Sequence, residues 1–213
     1  YLSEQPDLPG WMRVDEFMRY MQAFYPKWDA VYAEELRAQF GLDPAVRIKT
    51  LSKGQRAKAG LLAAQAHRPD LLLLDEPSSG LDPIVRSDIL AAVIRTVAEE
   101  GRTVFFSSHL LEEVERVSDH IAMLHQGKLV LCGPLDEIKA QHRRITLRFE
   151  TQQPKPPIVP GALSVTGTGR EWTIICDAAR TALPAHAASL NEIFVGHAGV
   201  SLQTPDALAQ SMD

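Results

Sequence analysis

Apolar residues recur at three- and four-residue steps from Val14 through Phe17, Met18, Met21, Phe24 and Tyr25, a spacing that predicts an amphipathic helix. Asp29 then offers an N-cap for a second helix that turns Tyr32, Leu36 and Phe40 inward and stops at Gly41, a residue suited to the left-handed end of a helix. The texture changes after Pro69. Residues 71–74 are consecutive leucines, which predicts a strand buried on both faces of a sheet. A helix is expected over 84–99, ended by Gly101, and a second strand over 103–107. Strand, helix and strand thus alternate as in a parallel α/β unit. A helix over 110–117 and a hairpin follow. The hairpin pairs 121–124 with 128–132 through Gln126-Gly127, and the core closes over 134–141.

Beyond His142 the composition shifts. Residues 145–150 alternate like a strand, Pro154, Pro156, Pro157 and Pro160 crowd a linker-like stretch, and a strand near 172–176 and a helical segment near 190–195 complete the tail. Three regions result: 1–66, 67–141 and an accessory unit over 142–213. No internal repeat is visible.

With 213 residues, 45% of them hydrophobic and 23% charged, the chain can bury a real core. Its net charge of −5 supplies no general attraction to nucleic acid or anionic lipid, which needs clustered Lys and Arg. No apolar stretch approaches the roughly 20 residues that span a bilayer, and residues 1–4, Tyr-Leu-Ser-Glu, have no signal-peptide character. Any membrane role must run through a partner. Cys132 and Cys176 lie far apart in apolar runs and are expected to be buried, reduced thiols of a cytosolic protein.

The candidate chemistry lies between residues 51 and 109. Ser52, with Gln55 three positions on, makes a capping box before an Ala-rich helix. The same Ser hydroxyl, Gly54 and the free N–H groups of the helix start could form a phosphate site, although, taken alone, ordinary helix punctuation is the favoured explanation. Asp75 and Glu76 are more specific, because consecutive carboxylates leave the carboxyl end of a buried strand, where ligand sites of open α/β sheets lie. Asp75 is placed to hold Mg²⁺ and Glu76 to polarise the water that attacks a terminal phosphate. The expected strand over 103–107 delivers Ser108 and His109 to the same sheet edge, where an imidazole can hydrogen-bond a γ-phosphate and that water. The other histidines, His67, His120, His125, His142, His186 and His197, have no ligand-like spacing and read as structural.

Taken together, these residues resemble the ATP-binding cassette (ABC) ATPases. Residues 51–55 resemble the Leu-Ser-Gly-Gly-Gln signature, 71–76 the Walker B strand, Ser79-Gly80-Leu81-Asp82 the D-loop, and His109 the switch histidine. The resemblance implies an α/β fold: a partial P-loop NTPase core with a parallel sheet, a helical subdomain and a small α+β C-terminal unit. It implies Glu76 as catalytic base and Asp75 as a magnesium-associated carboxylate. Ser52, Lys53, Gly54 and Gln55 would face the γ-phosphate of ATP held by the opposite subunit of a head-to-tail dimer, and Asp82 would couple the two sites. Residues 1–5 look like the loop that carries a metal- and water-contacting Gln. There Glu4 rather than Gln5 falls in register, and both remain candidates.

The implied cofactors are ATP and Mg²⁺. The implied partners are a transmembrane permease subunit, which Trp11, Met12 and the helix after Val14 would meet, and a second ATPase subunit, at the cytoplasmic face of the membrane. The tail, with residues 189–195, is similar to the exporter-type branch. Two departures stand out. Lys53 replaces the first Gly of the signature, and no Gly-x-x-x-x-Gly-Lys-Ser/Thr P-loop occurs in the 213 residues. P-loop amides and Lys provide most of the grip on the β- and γ-phosphates. The chain is therefore expected to bind ATP poorly alone, to expose sheet edges and apolar surface, and to be part of a longer ATPase. The alternatives are a non-hydrolysing binding or dimerisation module that donates residues 52–55 to a complete partner, or a soluble ABC ATPase of DNA repair or translation. The latter is disfavoured by the lack of heptad arms and of a basic face.

Overall fold

The periodic segment after Arg13 folds as helix α1 (Val14–Gln22) in the computed structural model, which describes residues 1–98, 101–181 and 183–198. The Arg13 amide donates to Glu16 Oε2 at 2.8 Å and closes the first turn, while Val14 and Phe17 are buried. The helix stops short of the expected Phe24 and Tyr25. Pro26 disfavours the helical region for the residue before it, and Phe24 is 61% exposed. Helix α2 (Ala30–Gln39) has the expected start and stop. Asp29 Oδ1 accepts the Tyr32 amide at 3.0 Å, Tyr32, Leu36 and Phe40 are buried, and Gly41 turns left-handed at φ +64°.

Helix α3 (Lys53–Gln65) is the centre of this unit, with residues 58–65 buried without a break. Small residues make that possible. A Cβ at Gly60 would lie 2.8 Å from Leu2 Cδ1. Helix α4 (Pro83–Ala98) packs beside it, tied by Lys58 Nζ to Asp88 Oδ2 at 2.7 Å and by Gln65 Nε2 to Thr96 Oγ1 at 3.1 Å. Of the expected span 84–99, Glu99 lies outside the described residues.

Strands β1 (Leu71–Leu74) and β2 (Thr103–Phe106) are parallel, with Leu71 opposite Thr103 and Leu74 opposite Phe106. On the far side of β1 the Leu2 amide donates to the Leu73 carbonyl and the Leu2 carbonyl accepts the Asp75 amide, both at 2.8 Å. One expectation is corrected. Leu72 and Leu74 are buried, but Leu71 is 51% and Leu73 38% exposed, so among the described residues β1 is covered on one face. An unbroken apolar run does not say how many layers pack on it. These elements belong to the first of two compact units, Tyr1–Leu110.

The second unit, Leu111–Asp213, opens with α5 (Leu111–Val117). It continues with the antiparallel hairpin β3 (His120–His125) and β4 (Lys128–Pro134), then α6 (Leu135–Gln141). Gln126 and Gly127 both have positive φ, +49° and +74°, the type I′ turn that matches strand twist. An antiparallel sheet follows in the order β6 (Ala162–Asp177), β5 (His142–Gln153), β7 (His186–Ala187), and α7 (Leu190–Ala198) ends the described part. The proline-rich stretch connects β5 to β6. Ile121 and Met123 of β3 pack with Ile138, Ile175, Leu190 and Ile193, and Ile145, Ile174 and Cys176 form a second cluster.

Both cysteines are free, but only Cys176 is buried. The expectation for Cys132 is corrected by strand parity. It pairs with Ala122, so it lies on the face opposite to that carrying Ile121 and Met123. His142 is buried, with Nδ1 2.6 Å from the Ile138 carbonyl and Nε2 2.8 Å from His197 Nε2. Among the described residues no helix is long and apolar enough to cross a membrane.

Candidate functional site

At the carboxyl end of β1 the chain passes through Asp75 into Glu76, whose φ is +46°. A non-glycine residue held there costs on the order of 1–3 kcal/mol and persists only where its surroundings over-determine it. Two bonds do so. The Glu76 amide donates to Ser107 Oγ at 2.9 Å, and the Glu76 carbonyl accepts the Ser79 amide at 3.1 Å. Ser107 lies one residue past β2, its own amide bonded to the Leu74 carbonyl at 3.0 Å. Its hydroxyl donates to Asp75 Oδ1 at 2.8 Å.

Glu76 Oε2 lies 2.8 Å from His109 Nδ1, with side-chain exposures of 23% for Glu76 and 62% for His109. A carboxylate only accepts, so Nδ1 carries the proton of this bond. That leaves Nε2 to meet a phosphate oxygen or a water. The parallel register therefore brings Asp75, Glu76 and His109 together, with a carboxylate able to accept a proton and an imidazole bonded to it.

At the signature segment, Ser52 Oγ accepts the Gln55 amide at 3.2 Å and Gln55 Oε1 accepts the Ser52 amide at 3.0 Å, a complete capping box. Gly54 is needed for packing as well as for any ligand. A Cβ there would lie 2.9 Å from both methyl groups of Val85 on α4. Lys53 Nζ donates to the Ser79 carbonyl at 2.9 Å. Asp82 Oδ1 accepts the amides of Ile84 and Val85, each at 3.1 Å, and so caps α4. Glu4 and Gln5 are both exposed and line a cleft of about 370 Å³ together with Lys53, Arg56 and Ser79.

The donor set suits a hard cation, since Asp75 and Glu76 offer carboxylate oxygens. Among the described residues no group of three or more His, Cys, Asp and Glu gathers for a metal. Mg²⁺ does not require one, because it is usually bound through one or two carboxylates plus substrate phosphates.

Ser107 is the residue that the reading of the sequence missed. Its one visible signal was a hydroxyl at the end of the strand adjacent to the acidic pair. The Lys53 contact with Ser79 and the Gly54 contact with Val85 were equally unannounced.

A family model described as "AAA domain, putative AbiEii toxin, Type IV TA system" matches residues 19–115. The chain is similar to the ABC transporter ATP-binding protein YtrB of Bacillus subtilis, 34% identical over 131 residues, which are 62% of this chain and 45% of that protein. It is also similar to the bacitracin transport ATP-binding protein BcrA of Bacillus licheniformis, 36% identical over 108 residues, 51% of this chain and 35% of BcrA. In fold it resembles a solved ATP binding subunit of an ABC transporter, with a TM-score of 0.57 and 27% identity over 66% of this chain and 60% of that one. The chain spans less than half the length of these two relatives.

Proposed function

The chain is a homologue of ABC transporter ATP-binding proteins and has the ABC ATPase fold, and from that premise we propose that it acts in a subunit that binds and hydrolyses ATP to drive a membrane-spanning permease. The observation that carries this reading is the network joining Asp75, Glu76 and His109 at one sheet edge. Glu76 accepts the proton of the attacking water, and His109, hydrogen-bonded to it, orients that water and the γ-phosphate. Asp75, with Glu4 as a second candidate, holds Mg²⁺, which when bound neutralises charge on the phosphates. Ser52, Lys53, Gly54 and Gln55 present amides, a hydroxyl and a cation to ATP on a second ATPase subunit, and Asp82 links the two sites.

Residues 1–66 then serve as the loop and helical subdomain that meet the permease at the cytoplasmic side, 67–141 as the catalytic half and 142–213 as an accessory unit. The exporter-type branch rests on the similarity of the tail, with residues 189–195. Residues 1–213 alone turn over little ATP, because the phosphate-gripping P-loop motif is not among them.

An ATPase assay on the full-length gene product tests this. We expect Mg²⁺-dependent turnover that falls roughly 100-fold or more in Glu76→Gln. Unchanged turnover in that variant rejects the catalytic assignment. Nucleotide binding by the same product without any hydrolysis favours the binding-module reading instead.

A further inference from the structure

The hydroxyl of Ser107 stands between the two acidic residues of the site, and its bonding is fully determined by its neighbours. A backbone amide can only donate and a carboxylate can only accept. The 2.9 Å contact from the Glu76 amide therefore uses a lone pair of Ser107 Oγ, and the 2.8 Å contact to Asp75 Oδ1 uses its proton. One oxygen thus fixes the carboxylate of Asp75 and the peptide of Glu76 together. The geometry depends on the parallel pairing of β1 with β2, since the Ser107 amide bonds to the Leu74 carbonyl at 3.0 Å and so sets the hydroxyl beside the residues that follow Leu74.

The second observation is the conformation of Glu76. At φ +46° it has left the range that side-chain-bearing residues prefer. The bond from its amide to Ser107 restrains the peptide before this turn, and the bond from Ser79 restrains the peptide after it. Releasing the first would let Glu76 relax toward ordinary backbone angles and withdraw its carboxylate from the 2.8 Å contact with His109. The same release would free the Asp75 carboxylate to rotate.

We propose that Ser107 is a positioning residue of the ATPase site, its hydroxyl holding Asp75 and the left-handed turn at Glu76 in the arrangement that hydrolysis uses. This rests on the ATPase reading above. Ser107 does not touch the reacting atoms in this assignment; it acts through its two neighbours. It is exposed at the end of β2, so truncation leaves no cavity in the core.

The test compares Ser107→Ala and Ser107→Thr in the full-length gene product, by steady-state ATPase with varied ATP and by hydrogen exchange at the Glu76 amide. In Ser107→Ala we expect kcat to fall about tenfold or more with KM for ATP within about threefold, and exchange at Glu76 to speed up about tenfold. Threonine keeps the hydroxyl, and both quantities should return to within about threefold of wild type. Wild-type kcat in Ser107→Ala, or an equal loss in Ser107→Thr, overturns the assignment while an active wild-type enzyme leaves the ATPase reading standing. A wild-type protein without Mg²⁺-dependent turnover overturns that reading and this assignment with it.

Discussion

Lys53 Nζ donates a 2.9 Å hydrogen bond to the carbonyl of Ser79, tying the first residue of α3 to the turn that precedes α4. A cation in the first turn of a helix opposes the helix dipole, and the carbonyl oxygen offsets that placement. Gly80 makes room for it. Its φ is +62°, and a Cβ there would lie 2.5 Å from the ammonium. The departure from the usual signature is thus accompanied by an internal bond between two segments proposed to face a partner's nucleotide.

Replacing Lys53 by Met should leave unfolding free energy within about 1 kcal/mol, because the bond is exposed. ATP turnover of the full-length product should fall roughly two- to tenfold, the worth of one hydrogen bond of about 0.5–1.5 kcal/mol. Denaturant unfolding and steady-state ATPase measure the two. Wild-type turnover in Lys53→Met would remove any catalytic meaning from the contact.

Gly54 carries a packing demand that can be separated from phosphate binding. Gly54→Ala should cost about 1–3 kcal/mol, since the added methyl meets both branches of Val85 at 2.9 Å and a β-branched side chain has few rotamers to yield into. In a Val85→Ala background most of that cost should vanish, giving a coupling of about 1 kcal/mol or more in a double-mutant cycle. An unchanged cost in that background would show that the contact is not the reason.

The local features were legible in the sequence because they are set by neighbours along the chain. The Ser52 and Gln55 capping box, the Asp29 cap, the Gly41 stop and the Gln126-Gly127 turn all formed as their residue types require. Asp75, Glu76 and His109 were legible as candidates, since strand ends in an α/β sheet lie at one edge. Features that depend on register or layering were not legible. Ser107 reaches Glu76 across 31 positions only through the Leu74 to Phe106 pairing. Likewise Cys132 faces outward because its pairing with Ala122 sets its side of the hairpin, which no local pattern encodes.

The ion pair between Lys58 and Asp88 joins α3 to α4 at 2.7 Å, with the Lys58 side chain 11% and the Asp88 side chain 47% exposed. Removing the carboxylate with Asp88→Ala leaves the largely buried Lys58 without its partner and should cost about 2 kcal/mol, less than for a fully buried pair because Asp88 already sees solvent. Lys58→Met removes the charge and keeps the volume, so it should stay within about 1 kcal/mol of wild type. Denaturant midpoints of the two variants decide it. Equal losses would mean that the pair acts by attraction rather than by sparing Lys58 a buried, uncompensated charge.

In the second unit, His142 Nδ1 donates to the Ile138 carbonyl, so Nε2 of neutral His142 accepts and His197 Nε2 carries the proton of the 2.8 Å bond between the rings. Burial first, and the neighbouring His142 second, hold the His197 pKa below the usual histidine value. A group whose pKa is lower folded than unfolded binds fewer protons in the folded state. Its favourable contribution is complete above the unfolded value of about 6.5 and is lost as pH falls below it toward the folded value. The thermal midpoint of the protein should therefore drop between about pH 7 and pH 5, by more than in His197→Gln, whose amide can keep a hydrogen bond to His142 without titrating. If the wild type and His197→Gln lose the same midpoint over that range, the pair does not set the acid sensitivity of the protein.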